Sequence, residues 1–156
     1  MQNFYKQVED AIQTLGVNPE DTRCSNPGEW LLQKDFFEIY VDVWMPKNTN
    51  QWQAFAGDKS SPIFQVIVPF CQIPTMHIEQ FNQELLYLNF HLYNASFMLN
   101  KEQNTVAIHS KTIAKELNTE KIAEKINSCG FYAESLFGYF EERYLVKKIE
   151  TEQPNS

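Results

Sequence analysis

Residues 85–110 read LLYLNFHLYNASFMLNKEQNTVAIHS, and the spacing of apolar residues changes within this stretch. In its first part apolar residues recur every three or four positions, which predicts a helix over roughly residues 76–93. Residues 96–100 and 105–112 then read as two strands, joined by the turn-forming residues 101–104. A long helix followed by a β-hairpin is therefore the framework of the second half of the chain.

This second helix carries two neighbouring apolar stripes, with Thr75 as its expected N-cap. A helix with two apolar flanks touches two neighbours. The second flank is therefore either a subunit interface or a second internal contact, and the sequence leaves both open. The first stripe contains Ile78, Phe81, Leu85, Leu88 and Leu92, and the second contains Leu86, Phe90 and Tyr93.

The first half of the chain reads as one helix followed by three strands. An amphipathic helix ends near Gly16, and strands are expected at residues 30–33, 36–44 and 63–71. Residues 36–44 alternate between apolar and polar positions, which is typical of an antiparallel strand with one face in the core. Pro69 cannot donate a backbone hydrogen bond, so its end of the third strand is expected to be an edge or a bulge.

The final helix is predicted to begin after Asn118, its expected N-cap, and to hold one apolar stripe for over six turns. The element order is then α-β-β-β-α-β-β-α. We predict a single α+β domain over residues 1–146 and a polar, frayed tail over residues 147–156.

The composition excludes several classes of function. The chain has 156 residues, and its thirteen Lys and Arg against twenty Asp and Glu leave a net charge of −7. This balance argues against nucleic acid, because binding to phosphates requires clustered basic residues. Three cysteines without CxxC spacing, an N-terminus without an apolar signal core and no long apolar run predict a cytoplasmic protein that does not insert into a membrane.

The sequence contains no recognisable catalytic, cofactor-binding or metal-binding motif. His77 and His91 on the second helix would lie ~21 Å apart, too far to share an ion. Glu38 and Asp42 would lie ~13 Å apart along one strand, where a solvated sheet face is the favoured interpretation. We therefore predict a protein that is not an enzyme and has no catalytic residue, cofactor or metal.

Aromatic residues outside the apolar stripes are candidates for binding a partner. Tyr40 and Trp44 lie on the polar face of the second strand, and Trp52 and Phe55 lie in the long connection over residues 45–62. The four side chains either form an exposed apolar groove or are buried beneath the connection. Only the first arrangement would mark an interaction site.

The element order and the stretch at residues 85–110, with its Leu88-Asn89 pair before two strands, resemble the bacterial type III secretion chaperone-like fold. Tir chaperones and YbjN-like sensory-regulator proteins belong to this group. The resemblance covers residues 2–145 and implies a five-stranded antiparallel sheet with helices on one face. It also implies a non-enzymatic protein, often a homodimer through the middle helix, that binds client segments on apolar sheet grooves.

Three functional hypotheses follow. The first is a cytoplasmic, homodimeric module that binds a partner or client protein. Its dimer contact would consist of Leu86, Phe90 and Tyr93. Its partner site would consist of Tyr40, Trp44, Trp52 and Phe55. The second is a module that encloses a small apolar ligand, which the aromatic content motivates. The third is an enzyme with an unrecognised site.

Overall fold

The described part of the chain, residues 1–46 and 61–149 of a computed structural model, has the predicted order α-β-β-β-α-β-β-α. Two short 3₁₀ turns, Pro19–Thr22 and Ala114–Glu116, lie between these elements. The elements in chain order are α1 Gln2–Thr14, β1 Glu29–Lys34, β2 Phe37–Trp44, β3 Ile63–Gln72, α2 Ile78–Asn89, β4 Ser96–Asn100, β5 Thr105–Ile113 and α3 Thr119–Tyr144.

The strands form one antiparallel five-stranded sheet in the order β1-β2-β3-β5-β4. Helices α1 and α3 pack on one side of it. Phe4 of α1 contacts Phe64 of β3, with ring centroids 6.3 Å apart, and Phe137 of α3 contacts Phe70 at 5.8 Å. The absent side chain of Gly130 brings α3 close to β2, since a Cβ there would lie 2.8 Å from Ile39 Cδ1. The predicted α+β class with helices on one face is confirmed.

The core between the sheet and α3 is built largely from phenylalanine rings. Their centroids lie 5.4–5.8 Å apart in edge-to-face pairs, a favoured geometry for aromatic contacts. Much of the aromatic content of the sequence is therefore used to fill the interior. The rings of this cluster are Phe37, Phe70, Phe97, Phe137 and Phe140.

Pro69 lies in β3, the central strand, and the sheet accommodates it with a bulge. The pairing with β5 shifts between Pro69 and Cys71, and both Phe70 and Cys71 are buried. The inserted residue is Phe70, and the pairing with β2 ends at Ile67, so Pro69 has no β2 neighbour that would need its missing N–H. Both expected arrangements are therefore present at this end of β3, a bulge on the β5 side and an edge on the β2 side.

The helix ends agree with the sequence pattern at α3 but not at α2. The Asn118 side chain caps α3 by accepting a hydrogen bond from the Lys121 N–H at 2.9 Å, as predicted. The predicted Thr75 cap and the start of α2 near residue 76 are wrong. His77 adopts a left-handed conformation (φ 56°) that cannot continue a helix, so α2 begins at Ile78.

Asn89, the last residue of α2, connects the helix to the edge strand β4. The Phe97 N–H donates to Asn89 Oδ1 at 2.6 Å, and Asn89 Nδ2 donates to the Phe97 carbonyl at 3.3 Å. A residue on an edge strand has backbone groups without a neighbouring strand to pair with. The Asn89 amide takes the place of that strand at Phe97, which gives the Leu88-Asn89 pair a structural role.

The residues after α3 return to the sheet. Val146 is buried, and the carbonyl of Lys147 accepts a hydrogen bond from the Gln72 N–H at 3.0 Å. The Lys148 ammonium lies 3.5 Å from the centroid of the Phe36 ring. Residues 150–156 of the predicted tail lie outside the described residues.

We predict that Asn89→Ala lowers the free energy of unfolding by about 1–3 kcal/mol, because the Phe97 N–H and carbonyl lose their partners. Asn82→Ala on the same helix is the matched control, since Asn82 Oδ1 is buried without a hydrogen-bond partner in the described part of the chain. Urea unfolding of both variants measures the difference. Equal losses for the two would contradict the role given to Asn89.

Candidate functional site

The side of the sheet opposite α1 and α3 carries no helix among the described residues, and we call it the open face. Strand pairing lines up one row of side chains across it, from Leu31 through Tyr40, Ile67 and His109 to Ser96. Leu31 is 36% exposed and Tyr40 41%. The row therefore presents apolar surface to solvent on the β1–β3 half of the sheet.

Trp44 lies on the same face, four residues further along β2 than Tyr40. The Lys111 ammonium of β5 lies 4.8 Å from the centroid of the Trp44 ring, a cation–π contact. Trp52 and Phe55 fall outside the described residues. The joining of all four aromatic residues into one groove therefore stays a prediction.

Carboxylates surround the apolar part of the open face. Glu29 and Asp42 are directly opposite each other on β1 and β2, and Glu38 accepts a hydrogen bond from the Tyr40 hydroxyl at 2.6 Å. Burial, helped by Glu29, raises the pKa of Asp42 to about 6, while Lys111 and a hydrogen bond from Gln65 oppose the shift. Burial and Glu38 raise the pKa of Tyr40 to about 12.

The sheet face that carries Glu38 and Asp42 is exposed to solvent at Leu31 and Tyr40, as expected, but the Asp42 carboxylate departs from that expectation. The side chain is half-buried, and Asp42 Oδ1 is inaccessible to solvent without a hydrogen-bond partner among the described residues. The alternation along β2 correctly placed Asp42 on the side of the strand that faces away from the core. It could not show that folding would bury one of its carboxylate oxygens.

The second surface is the outward side of α2 and the turn after it, which we call the α2 face. Leu86 is 72% exposed, Phe90 86% and Tyr93 79%. Tyr87 is also exposed, and the apolar pattern did not single it out because, at 100° per residue, it lies beyond Phe90 and outside both stripes. The second stripe of the helix therefore makes no internal contact that would bury it in the described part of the chain.

The opposite side of α2 is held firmly on α3. Phe81 is buried, and its ring lies 5.6 Å from that of Phe140 and 5.3 Å from that of Tyr144. The Glu84 carboxylate accepts hydrogen bonds from the Tyr139 and Tyr144 hydroxyls, and Arg143 Nε lies 3.3 Å from Glu84 Oε2. These contacts fix the helix with its other apolar side turned to solvent.

The described residues offer little for catalysis or metal binding. In residues 1–46 and 61–149, no three metal-ligating side chains come together. Burial raises the pKa of both the Cys71 and the Cys129 thiols to about 12, which keeps them protonated and unreactive. Ser96 Oγ lies 2.9 Å from His109 Nε2, but within the described part of the chain no carboxylate hydrogen-bonds to that ring, as a catalytic triad requires.

A small cavity lies at one end of the sheet, between Phe37, Pro69 and Phe70. Its volume is about 20 Å³. This space holds roughly one water molecule. Phe36, Phe37 and Phe70 line this cavity, and a space of this size is too small for the apolar ligand of the small-ligand hypothesis. A larger open cleft, of about 280 Å³, lies between Tyr5, Arg23 and Trp30.

No protein-family profile matches the chain, and no curated protein matches it in sequence. Solved structures do match. The structure of the complex of ExsC with ExsE superposes with a TM-score of 0.59 at 10% identity, covering 88% of this chain and 92% of the other. The HopA1–SchA chaperone–effector complex gives 0.59 at 12%, covering 86% and 94%. The Yersinia pestis type III secretion chaperone SycH, in complex with a stable fragment of YscM2, gives a TM-score of 0.55 at 13% identity, covering 85% of this chain and 98% of the other.

The chain therefore has the type III secretion chaperone-like fold. At these identities the likeness extends to the fold alone, since one fold can serve several functions. In the two described ranges, no helix combines the length and the apolar composition that crossing a membrane requires.

We predict that Asp42→Asn raises the free energy of unfolding at neutral pH by about 1–2 kcal/mol, after allowance for solvent screening of a partly exposed group. The raised pKa of Asp42 means that the folded state holds the proton more tightly than the unfolded chain. Wild-type stability should therefore fall as pH rises from about 4 to 6, and the variant should lose this part of the pH dependence.

Urea unfolding at several pH values measures the effect. Glu38→Gln on the same strand is the control, and we expect a change within about 0.5 kcal/mol. A variant that is less stable than the wild type at neutral pH would contradict the cost assigned to Asp42.

Proposed function

We propose that the chain is a non-enzymatic module that binds a partner or client polypeptide, resembles type III secretion chaperones and YbjN-like regulators, and acts as a cytoplasmic homodimer. The observation that carries this proposal is the α2 face. Side chains of leucine, phenylalanine and tyrosine at 72–86% exposure form apolar surface that a monomer leaves in water. Large apolar patches of this kind mark interaction sites.

A second copy of the chain is the proposed occupant of the α2 face. An interface with two-fold symmetry uses the same patch on both subunits, so an apolar helix side can cover itself. The rigid attachment of α2 through Phe81 and Glu84 supports this role, because a fixed surface loses little conformational freedom on association. Leu86, Phe90 and Tyr93 would supply the contact.

The partner is proposed to bind on the open face, around Tyr40 and Trp44, with Trp52 and Phe55 contributing. The three solved structures with this fold are complexes with other proteins, and two are described as complexes of chaperones, which supports a protein partner by analogy of fold. The cytoplasmic location is supported by the cysteines, because Cys24, Cys71 and Cys129 are all free thiols.

We predict that Leu86→Glu combined with Phe90→Glu converts a dimer into a folded monomer, because two buried charges without partners would oppose association. Sedimentation equilibrium measures the mass, and circular dichroism checks the fold. Phe131→Glu, on the solvent side of α3, is the control and should remain dimeric. A wild-type protein that sediments as a monomer at high concentration would refute the dimer.

A second prediction concerns the partner site. Tyr40→Ala combined with Trp44→Ala should abolish capture of the protein that wild type retains from lysate of the source cell, measured by pull-down and mass spectrometry. The Leu145→Ala variant, which removes an exposed apolar side chain elsewhere, is the control. Unchanged capture by the double variant would place the partner on another surface.

A further inference from the structure

Charge is distributed unevenly over the open face. Glu29, Glu38 and Asp42 lie on β1 and β2, whereas Lys111 lies on β5, beyond β3, and is positioned over the Trp44 ring. Two nearby cations are directed to the helix side of the sheet. Lys34 Nζ lies 3.4 Å from Glu134, and Arg23 Nε lies 2.7 Å from Glu9. Two further cations reach the β1–β2 half of the open face, Lys111 over the Trp44 ring and Lys148, which lines the same small cavity as Glu38. Three carboxylates against these two cations leave this half negative, as far as the chain is described.

Asp42 is held there at an energetic cost. Glu29 is its direct cross-strand neighbour, and like charges in this position destabilise a sheet. Asp42 Oδ2 accepts one long hydrogen bond, 3.4 Å from Gln65 Nε2, and the buried Oδ1 has no partner in the described residues. A cationic donor brought in by a partner would relieve both costs, and partial burial makes such a pair stronger than one in free solvent.

The carboxylates and the apolar residues alternate along β2. Glu38, Tyr40 and Asp42 follow one another at every second position, so successive side chains on the face are ~7 Å apart. Leu31 and Ile67 widen the central apolar row on the two neighbouring strands. An extended polypeptide repeats the side chains of one of its own faces at the same ~7 Å spacing, so the two patterns can stay in step.

We propose that the open face binds an extended client segment in which lysine or arginine alternates with an apolar residue along one side. The cations would lie against Glu38 and against the Glu29–Asp42 pair, and the apolar side chain would lie between them on Leu31, Tyr40 and Ile67. This inference rests on the proposed protein-binding function and adds the chemistry of the partner. It also assigns Asp42 and Glu29 as residues that determine specificity.

Three fluorescein-labelled peptides test the proposal by fluorescence anisotropy with the full-length protein. Each has the same serine-spaced pattern with a central leucine, and the two flanking positions carry lysine, glutamine or glutamate. We expect the lysine peptide to bind about tenfold more tightly than the glutamine peptide, and the glutamate peptide to bind most weakly. Added salt should reduce the difference, because it screens charge pairs.

Variants then locate the effect. Glu29→Gln combined with Asp42→Asn should reduce the affinity for the lysine peptide about tenfold and leave the glutamine peptide unchanged. Glu141→Gln combined with Glu142→Gln removes the same charge from exposed positions on α3 and is the matched control. Lys111→Gln should act in the opposite direction and strengthen binding of the lysine peptide.

The outcomes separate this inference from the function on which it rests. Equal binding of the three peptides would overturn the preference for cations and leave a protein-binding face intact. Equal losses in the two double variants would overturn the assignment to Glu29 and Asp42. Failure of every peptide to bind would overturn the open face as the docking site, while the oligomeric state of the α2-face variants would still be measured independently.

Discussion

The ring of Phe140 joins three parts of the molecule, and the rest of the structure depends on this packing. Its centroid lies 5.6 Å from Phe70 of β3, 5.7 Å from Phe97 of β4 and 5.6 Å from Phe81 of α2. One residue of α3 thus contacts the central strand, an edge strand and the second helix. Because dense packing transmits strain, the position of α2 follows from the position of this ring.

In this arrangement, within the part of the chain that the structure describes, the sheet and helix α2 each have one side packed against the rest of the protein and one side facing solvent. The sheet has one side covered by α1 and α3 and another that no helix among the described residues covers. Helix α2 has one side fixed by Phe81 and Glu84 and another that exposes Leu86 and Phe90. The exposed apolar side chains of the two surfaces add little burial to the monomer, and Asp42 on the open face destabilises it. Features retained at a cost to stability are expected where a protein binds something else.

The parts of the fold that depend on neighbours in sequence were predicted well. Alternation along β2 identified both the strand and its buried side, because side chains of a strand change sides at every residue. The Asn118 cap was also predicted, since its hydrogen bond reaches only three residues along the chain. The same local reasoning failed at Thr75, where the left-handed conformation of His77 delays the start of α2. It also missed Tyr87, whose exposure depends on how α2 lies against α3.

The sequence by itself determined the order of the elements, the α+β class and the apolar sides of strands and helices, because these follow from periodicity over a few residues. Tertiary structure alone decided three further points: that the proline in β3 lies at a bulge of a central strand, that Asn89 completes the edge of β4, and that Asp42 is half-buried beside Glu29. Each of these depends on which distant segments become neighbours. The α2 face required sequence and structure together. The sequence showed that the second stripe of α2 is apolar, and only the packing of Phe81 on Phe140 showed that this stripe faces solvent.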